Sequence, residues 1–103
     1  MNRRTVIAEI FLLRPEDGGR SQSILKGYRS LLRFTGTTTD FGFEIDFEPA
    51  KDATEFLPGT TRLCRLSFWA VDLLPILSQE AKFEVREGSR IIGNGKIVNL
   101  KAV

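Results

Sequence analysis

Four separate runs in this chain put apolar residues at every second position, and no helical spacing competes with them. Phe41, Phe43, Ile45 and Phe47 alternate with Gly42, Glu44, Asp46 and Glu48, the pattern of a strand with one face buried and the other in water. Val6, Ala8, Ile10 and Leu12 alternate with Ile7, Glu9, Phe11 and Leu13, which predicts a strand buried on one face and partly covered on the other. Cys64, Leu66, Phe68 and Ala70 lie on one side of a third run, opposite Arg65, Ser67 and Trp69. In the fourth, Phe83 and Val85 alternate with Lys82, Glu84 and Arg86. A period of two is the period of strands, so the chain is read as sheet throughout.

Turn residues punctuate these runs. Pro15-Glu16-Asp17-Gly18-Gly19 follows the first, and Leu57-Pro58-Gly59-Thr60 carries the Pro-Gly of a type II turn. Glu87-Gly88-Ser89-Arg90 closes a hairpin in which Gly88 supplies a positive φ. Gly93 and Gly95 read as a bulge or a close strand contact. Lys51 to Phe56 leaves room for one short turn. About six short strands at regular spacing predict an all-β fold, and a closed barrel suits strands this few and this long. With 103 residues and no repeat or linker, positions 1–103 are expected to form one domain.

Residue types narrow the chemistry. The chain has no histidine, which removes the usual general base, the nucleophile pairs that rely on it and most transition-metal sites. Cys64 is the only cysteine, so neither an internal disulfide nor a cysteine-built zinc site is available, and its run marks it as a small core residue. Glu44 and Asp46 share the watered face of a strand and read as solubility. The expectation is a non-catalytic protein without metal or cofactor. No apolar run approaches the roughly 20 residues that span a bilayer. Glu9 and Arg14 interrupt the stretch after Arg3-Arg4, so no signal peptide is read and a cytoplasmic location is expected. A formal net charge of +2 is too small to argue for nucleic acid by itself. Arg14, Arg20, Lys26, Arg29 and Arg33 crowd the first third, as either a local basic face or a solvated surface.

Several short motifs carry more than composition. Gly18-Gly19-Arg20, Lys26-Gly27-Tyr28-Arg29, Thr38-Thr39-Asp40, Leu57-Pro58-Gly59, Pro75-Ile76 and the run from Phe83 to Gly95 occur in this order. In order and spacing they resemble the C-terminal β-barrel, the third domain, of elongation factor Tu, from about Ala8 to Leu100. The resemblance implies a six-stranded antiparallel Greek-key closed barrel. It also implies two surfaces: one that packs on a GTP-binding domain, and one that touches the backbone of the T-stem of tRNA. Carried over position by position, the RNA-contacting residues are Arg20, Glu87 and Gly88. A Gln of the family pattern is Leu31 here, preceded by Ser30 in place of Pro, and a Thr of the pattern falls at or near Gly42. Ser89 replaces a second Gly, and Thr60 replaces an Asp. No Gly-x-x-x-x-Gly-Lys-Ser/Thr loop is present, so this chain is expected to stand without a GTPase domain and to bind no GTP.

Two functions from different classes follow. The first is a translation-associated module contacting tRNA or other structured RNA through Arg20, Glu87 and Gly88. In the sequence Arg20 is equally placed to pair with Asp17 or Glu16, and Glu87 reads either as an acceptor for a ribose 2′-hydroxyl or as an exposed turn residue. The second is a protein-interaction module that docks on a GTPase or translation factor, or homodimerises. Trp69, facing away from the core side of its strand, is the residue expected at that interface. Tyr28 reads as a strand-end anchor, and Arg29 as half of an ion pair across the barrel.

Overall fold

The inward residues of the four alternating runs meet in one core. The computed structural model describes residues 4–46, 55–69 and 80–100. Within them, strands β1 (Arg4–Leu12), β3 (Arg29–Phe34), β4 (Phe41–Asp46), β6 (Thr61–Phe68), β7 (Lys82–Glu87) and β8 (Arg90–Asn99) form a closed barrel. Their order around the barrel is β1-β6-β4-β3-β7-β8, every neighbouring pair is antiparallel, and β8 pairs back onto β1. The links from β1 to β3 and from β6 to β7 join strands that are not neighbours, as a Greek key requires. The all-β closed barrel expected from the alternation is therefore present. A two-stranded ribbon of β2 (Ile24–Leu25) and β5 (Glu55–Phe56) is an addition that the alternation did not predict. Phe47, Ala70, Pro75-Ile76 and positions 51–54 of the turn expected over Lys51 to Phe56 lie outside the described residues. The last two residues of that span, Glu55 and Phe56, are strand β5 and not turn.

Val6, Ala8, Ile10 and Leu12 of β1, Phe41, Phe43 and Ile45 of β4, and Cys64, Leu66 and Phe68 of β6 are all buried, as their spacing predicts. Among the described residues no polar or charged side chain is buried, so the core is held by apolar contact alone. Phe34 joins its parts: its ring lies 6.1 Å from Phe41, 6.3 Å from Phe68 and 6.1 Å from Phe83 between centroids, each tilted or edge-on. Such pairs add about 0.5–1.5 kcal/mol each beyond the area they bury. Ile24 and Phe56, the inward members of the ribbon, are each 1 % exposed and cap the core. Cys64 is the small core residue its run implied, and burial pushes its thiol up to about 12, which leaves it unreactive at neutral pH.

The wall closes where side chains are missing. A Cβ at Gly93 would lie 2.7 Å from the carbonyl oxygen of Phe11, and one at Gly95 only 2.4 Å from that of Glu9 and 2.8 Å from the ring of Phe83. The expected close contact is thus between β8 and β1, and the register of β7 on β8 shifts between Val85 and Arg86 beside it. The Pro-Gly turn also forms as read, with Gly59 at φ +80° and the Thr60 hydroxyl donating to the Leu57 carbonyl at 2.6 Å.

Substituting alanine separates the two kinds of glycine in this wall. Gly95→Ala should lower stability by about 1–3 kcal/mol, because backbone and a core ring must move. Gly42→Ala should be close to neutral, since its Cβ would meet only the Trp69 ring at 3.7 Å. Urea midpoints of the two variants measure the difference, and equal midpoints would mean that closure does not depend on Gly95.

Candidate functional site

The β7–β8 hairpin turns through Gly88 and Ser89, with Glu87 directly across from Arg90. Gly88 has φ +61° and Ser89 a negative φ, the pattern of a type II′ turn, which suits the twist of a hairpin. A Cβ on Gly88 would meet nothing within 4 Å, so this end of the barrel offers bare backbone to the outside.

Loop 13–20, which leaves β1, lies against this hairpin. A short 3₁₀ turn, Pro15–Asp17, ends at Gly18 with φ +95°. Gly19 is pressed onto Leu13, where a Cβ would fall 2.0 Å from the carbonyl oxygen. Gly18 is needed for its left-handed φ, and Gly19 allows the chain to approach itself. Their carbonyls are the acceptors for Arg90, whose Nε donates to Gly18 O at 3.0 Å and whose Nη2 donates to Gly19 O.

Arg20 then reaches the hairpin from the loop. Its Nη1 donates to Glu87 Oε2 and its Nε to the Gln22 carbonyl at 3.2 Å, while its guanidinium lies 5.0 Å from the centre of the Tyr28 ring. The Tyr28 hydroxyl donates to the same Glu87 Oε2. A carboxylate between a guanidinium and a phenol holds three chain segments in one geometry. Beside it is a depression of about 170 Å³ lined by Arg20, Ser21, Gln22, Glu87 and Arg90.

Arg20, Glu87 and Gly88, far apart in sequence, thus lie together at one end of the barrel. Two alternatives left open by the sequence are corrected. Arg20 pairs with Glu87 and not with Asp17 or Glu16, because Asp17 is held by Arg14 at 3.0 Å. Glu87 is not an exposed turn residue, for its side chain is 30 % exposed and accepts two hydrogen bonds. Tyr28 anchors the start of β3, as read, through that carboxylate.

The crowd of five basic residues does not form an uncompensated face. Arg14 faces Asp17, Arg20 faces Glu87, Lys26 faces Asp46 at 3.6 Å, Arg29 faces Glu44 at 3.1 Å and Arg33 faces Asp40 at 2.7 Å. The hydrogen bond from Arg33 holds the Asp40 carboxyl below its usual range. Arg90 differs from all five. Its hydrogen bonds go to neutral carbonyls, and it makes no ion pair among the described residues. The sequence singled out Arg90 only as part of a turn; what distinguishes it is a contact with a loop 72 positions away.

Trp69 follows β6 and is half-buried, with the Arg29 guanidinium 5.1 Å from its ring centre and Gly42 leaving room behind it. Part of its cover comes from its own barrel wall. Leu31 and Gly42, the Gln and Thr positions of the expected pattern, are direct partners across β3 and β4, and Leu31 also faces Arg86 of β7. Neither position offers a polar side chain, although charged residues flank both on the same face. Ser30 meanwhile donates its hydroxyl to the Arg86 carbonyl. No group of metal-binding side chains occurs among the described residues, and none of their helices is long and apolar enough to cross a membrane.

A family model described as the elongation factor Tu C-terminal domain matches residues 1–101. The chain belongs to this family. The elongation factor Tu C-terminal domain is a non-catalytic part of a translation factor, and the barrel seen here is consistent with it. The Arg20–Glu87–Gly88 end falls within the matched residues, as do Leu31, Gly42 and Trp69.

Tyr28 reports directly on the site, because it is the only tyrosine in the chain. Burial, and then the hydrogen bond to Glu87, pushes its hydroxyl from the ordinary 10 up to about 12. A raised value means stability that is fully present below pH 10 and lost as the pH rises towards about 12. Tyrosinate absorbance should titrate near that upper value, and Glu87→Gln should bring the midpoint part of the way back. An unmoved midpoint would show that Glu87 does not receive the phenol's hydrogen bond in solution.

Proposed function

We propose that this chain is a non-catalytic, translation-associated binding module that contacts structured RNA at the β7–β8 turn, tRNA being the ligand its family implies. The observation that carries this reading is Arg90, a guanidinium with no carboxylate partner among the described residues, in a depression beside Arg20, Glu87 and the bare backbone of Gly88. Arg20 and Glu87 offset each other, so Arg90 leaves the cluster with one net positive charge. One or two phosphates suit it better than a long run of them. Glu87, held by Tyr28 and Arg20, keeps acceptor capacity for a ribose 2′-hydroxyl, and the Gly88 amide offers a donor without a side chain in the way. The contact is to backbone and sugar, which favours shape over sequence.

A second reading rests on different residues. Leu25, Leu57 and Leu63 are 59 %, 50 % and 58 % exposed, and Trp69 is half-buried. These apolar groups favour a protein surface, with a GTPase, a translation factor or a second copy as partner.

Filter binding of purified tRNA at several salt concentrations separates the two readings. Arg20→Ala and Arg90→Gln should each weaken binding about tenfold and reduce the salt slope by roughly 1, while Trp69→Ala leaves both unchanged. An affinity and slope indifferent to both arginine substitutions would remove RNA from this end of the barrel.

A further inference from the structure

The outer wall of β1, β7 and β8 holds a second and larger depression, of about 340 Å³, and its chemistry is unlike that of the hairpin turn. We propose that it binds a nucleotide unit, with the phosphate between Lys82 and Lys96 and the base against Phe11. The proposal does not rest on the RNA contact at the β7–β8 turn. Lys82 begins β7 while Glu87 ends it, which separates the two places by about 16 Å along the strand.

Strand register brings these groups together. On the outside, Phe11 of β1 lies directly opposite Asn94 of β8, and Glu9 lies opposite Lys96. Lys96 in turn lies opposite Lys82 of β7. Two ammonium groups directly across an antiparallel pair repel each other. Lys96 pairs with Glu80 at 3.3 Å and has the Glu9 carboxylate across from it, while Lys82 makes no ion pair among the described residues. An anion seated between them removes that repulsion, and a phosphate is the common one with several acceptor oxygens for two ammonium donors.

The other side of the depression suits a base and a sugar. Phe11 is half-buried on the outer face, which fixes its ring and leaves part of it uncovered. An aromatic ring of this kind stacks on a base without regard to sequence. Asn94 is exposed beside it and presents both donor and acceptor to a base edge. Glu9, also exposed and without an ion pair among the described residues, is an acceptor for ribose hydroxyls or an exocyclic amine. With Glu80 paired to Lys96, the two lysines and the lining Glu9 leave no net charge, which suits one phosphate group rather than many. The volume falls in the range of small-ligand sites, roughly 300–1,000 Å³.

The ligand's source is either a free nucleotide or one residue of a single-stranded RNA. Amide NMR titrations of the whole chain with adenosine 5′-monophosphate, adenosine, inorganic phosphate and a short single-stranded oligoadenylate distinguish them. The expected result is that the monophosphate shifts the amides of Phe11, Lys82, Asn94 and Lys96, and does so more tightly than adenosine or phosphate. Phe11→Leu and Lys82→Gln should each weaken it about tenfold, with unchanged thermal unfolding. Shifts at the same amides from the oligoadenylate alone would support the site and assign it to RNA. Shifts from phosphate as tight as those from the monophosphate, with no effect of Phe11→Leu, would overturn it. So would shifts confined to other residues, or none with any of the four probes.

Discussion

Everything in this fold depends on the closeness with which β8 passes β1. A six-stranded sheet of this kind must curl until its last strand meets its first, and the meeting occurs over the carbonyl oxygens of Phe11 and Glu9. Only glycine fits there, at positions 93 and 95, and at Gly95 the Phe83 ring fills the space a side chain would take. Closure hides the edge groups of both strands, which would otherwise offer themselves to other chains. It also sets the position of the β7–β8 hairpin, because the residues that close the barrel are the return strand of that hairpin.

With no open sheet edge in the barrel, contact with other molecules falls to the ends and the outer wall. The wall is charged but largely balanced. Arg29 with Glu44, Arg33 with Asp40 and Arg86 with Glu84 place opposite charges side by side on the outer face of β3, β4 and β7. Exposed pairs of this sort stabilise weakly, by about 0–1 kcal/mol in general. Their larger effect is to remove any broad positive field, consistent with a net charge of only +2. Among the described residues Arg4, Lys82 and Arg90 make no ion pair, and an anion is proposed at Arg90 on the hairpin turn and at Lys82 on the wall.

Much of the core was legible in the sequence because one periodicity ran through it. Val6 to Leu12, Phe41 to Ile45 and Cys64 to Phe68 bury the residues their alternation assigns, and the Gly88 and Gly59 turns form where their residue types demand. The β2–β5 ribbon was not legible, since two residues per strand carry no period. The charge balance of the wall was hidden for another reason. Arg29, Arg33 and Lys26 are neutralised by residues on a neighbouring strand or in the turn before it, and register, not proximity in sequence, brings most of them together. At the candidate site, Arg20, Glu87 and Gly88 were visible only through their motifs. The partner of Arg20 lies 67 positions away, and the local alternatives Glu16 and Asp17 were the natural expectation without a fold.

That pairing also bears on what the site is for. The side chains of Arg20 and Glu87 are 22 % and 30 % exposed, so the pair is partly buried and only partly screened by solvent. Glu87 accepts from both Arg20 and Tyr28, and Arg90 fastens the same loop from the other side through Gly18 and Gly19. Side chains fixed in this way lose little rotamer freedom when a ligand arrives, whereas a free arginine or glutamate would have to be ordered at the moment of binding. The network thus acts chiefly by holding loop 13–20, the start of β3 and the hairpin turn in one arrangement before contact. The shared carboxylate is what ties the three segments together, and under the proposed RNA contact it would present Arg20 and Glu87 already in place.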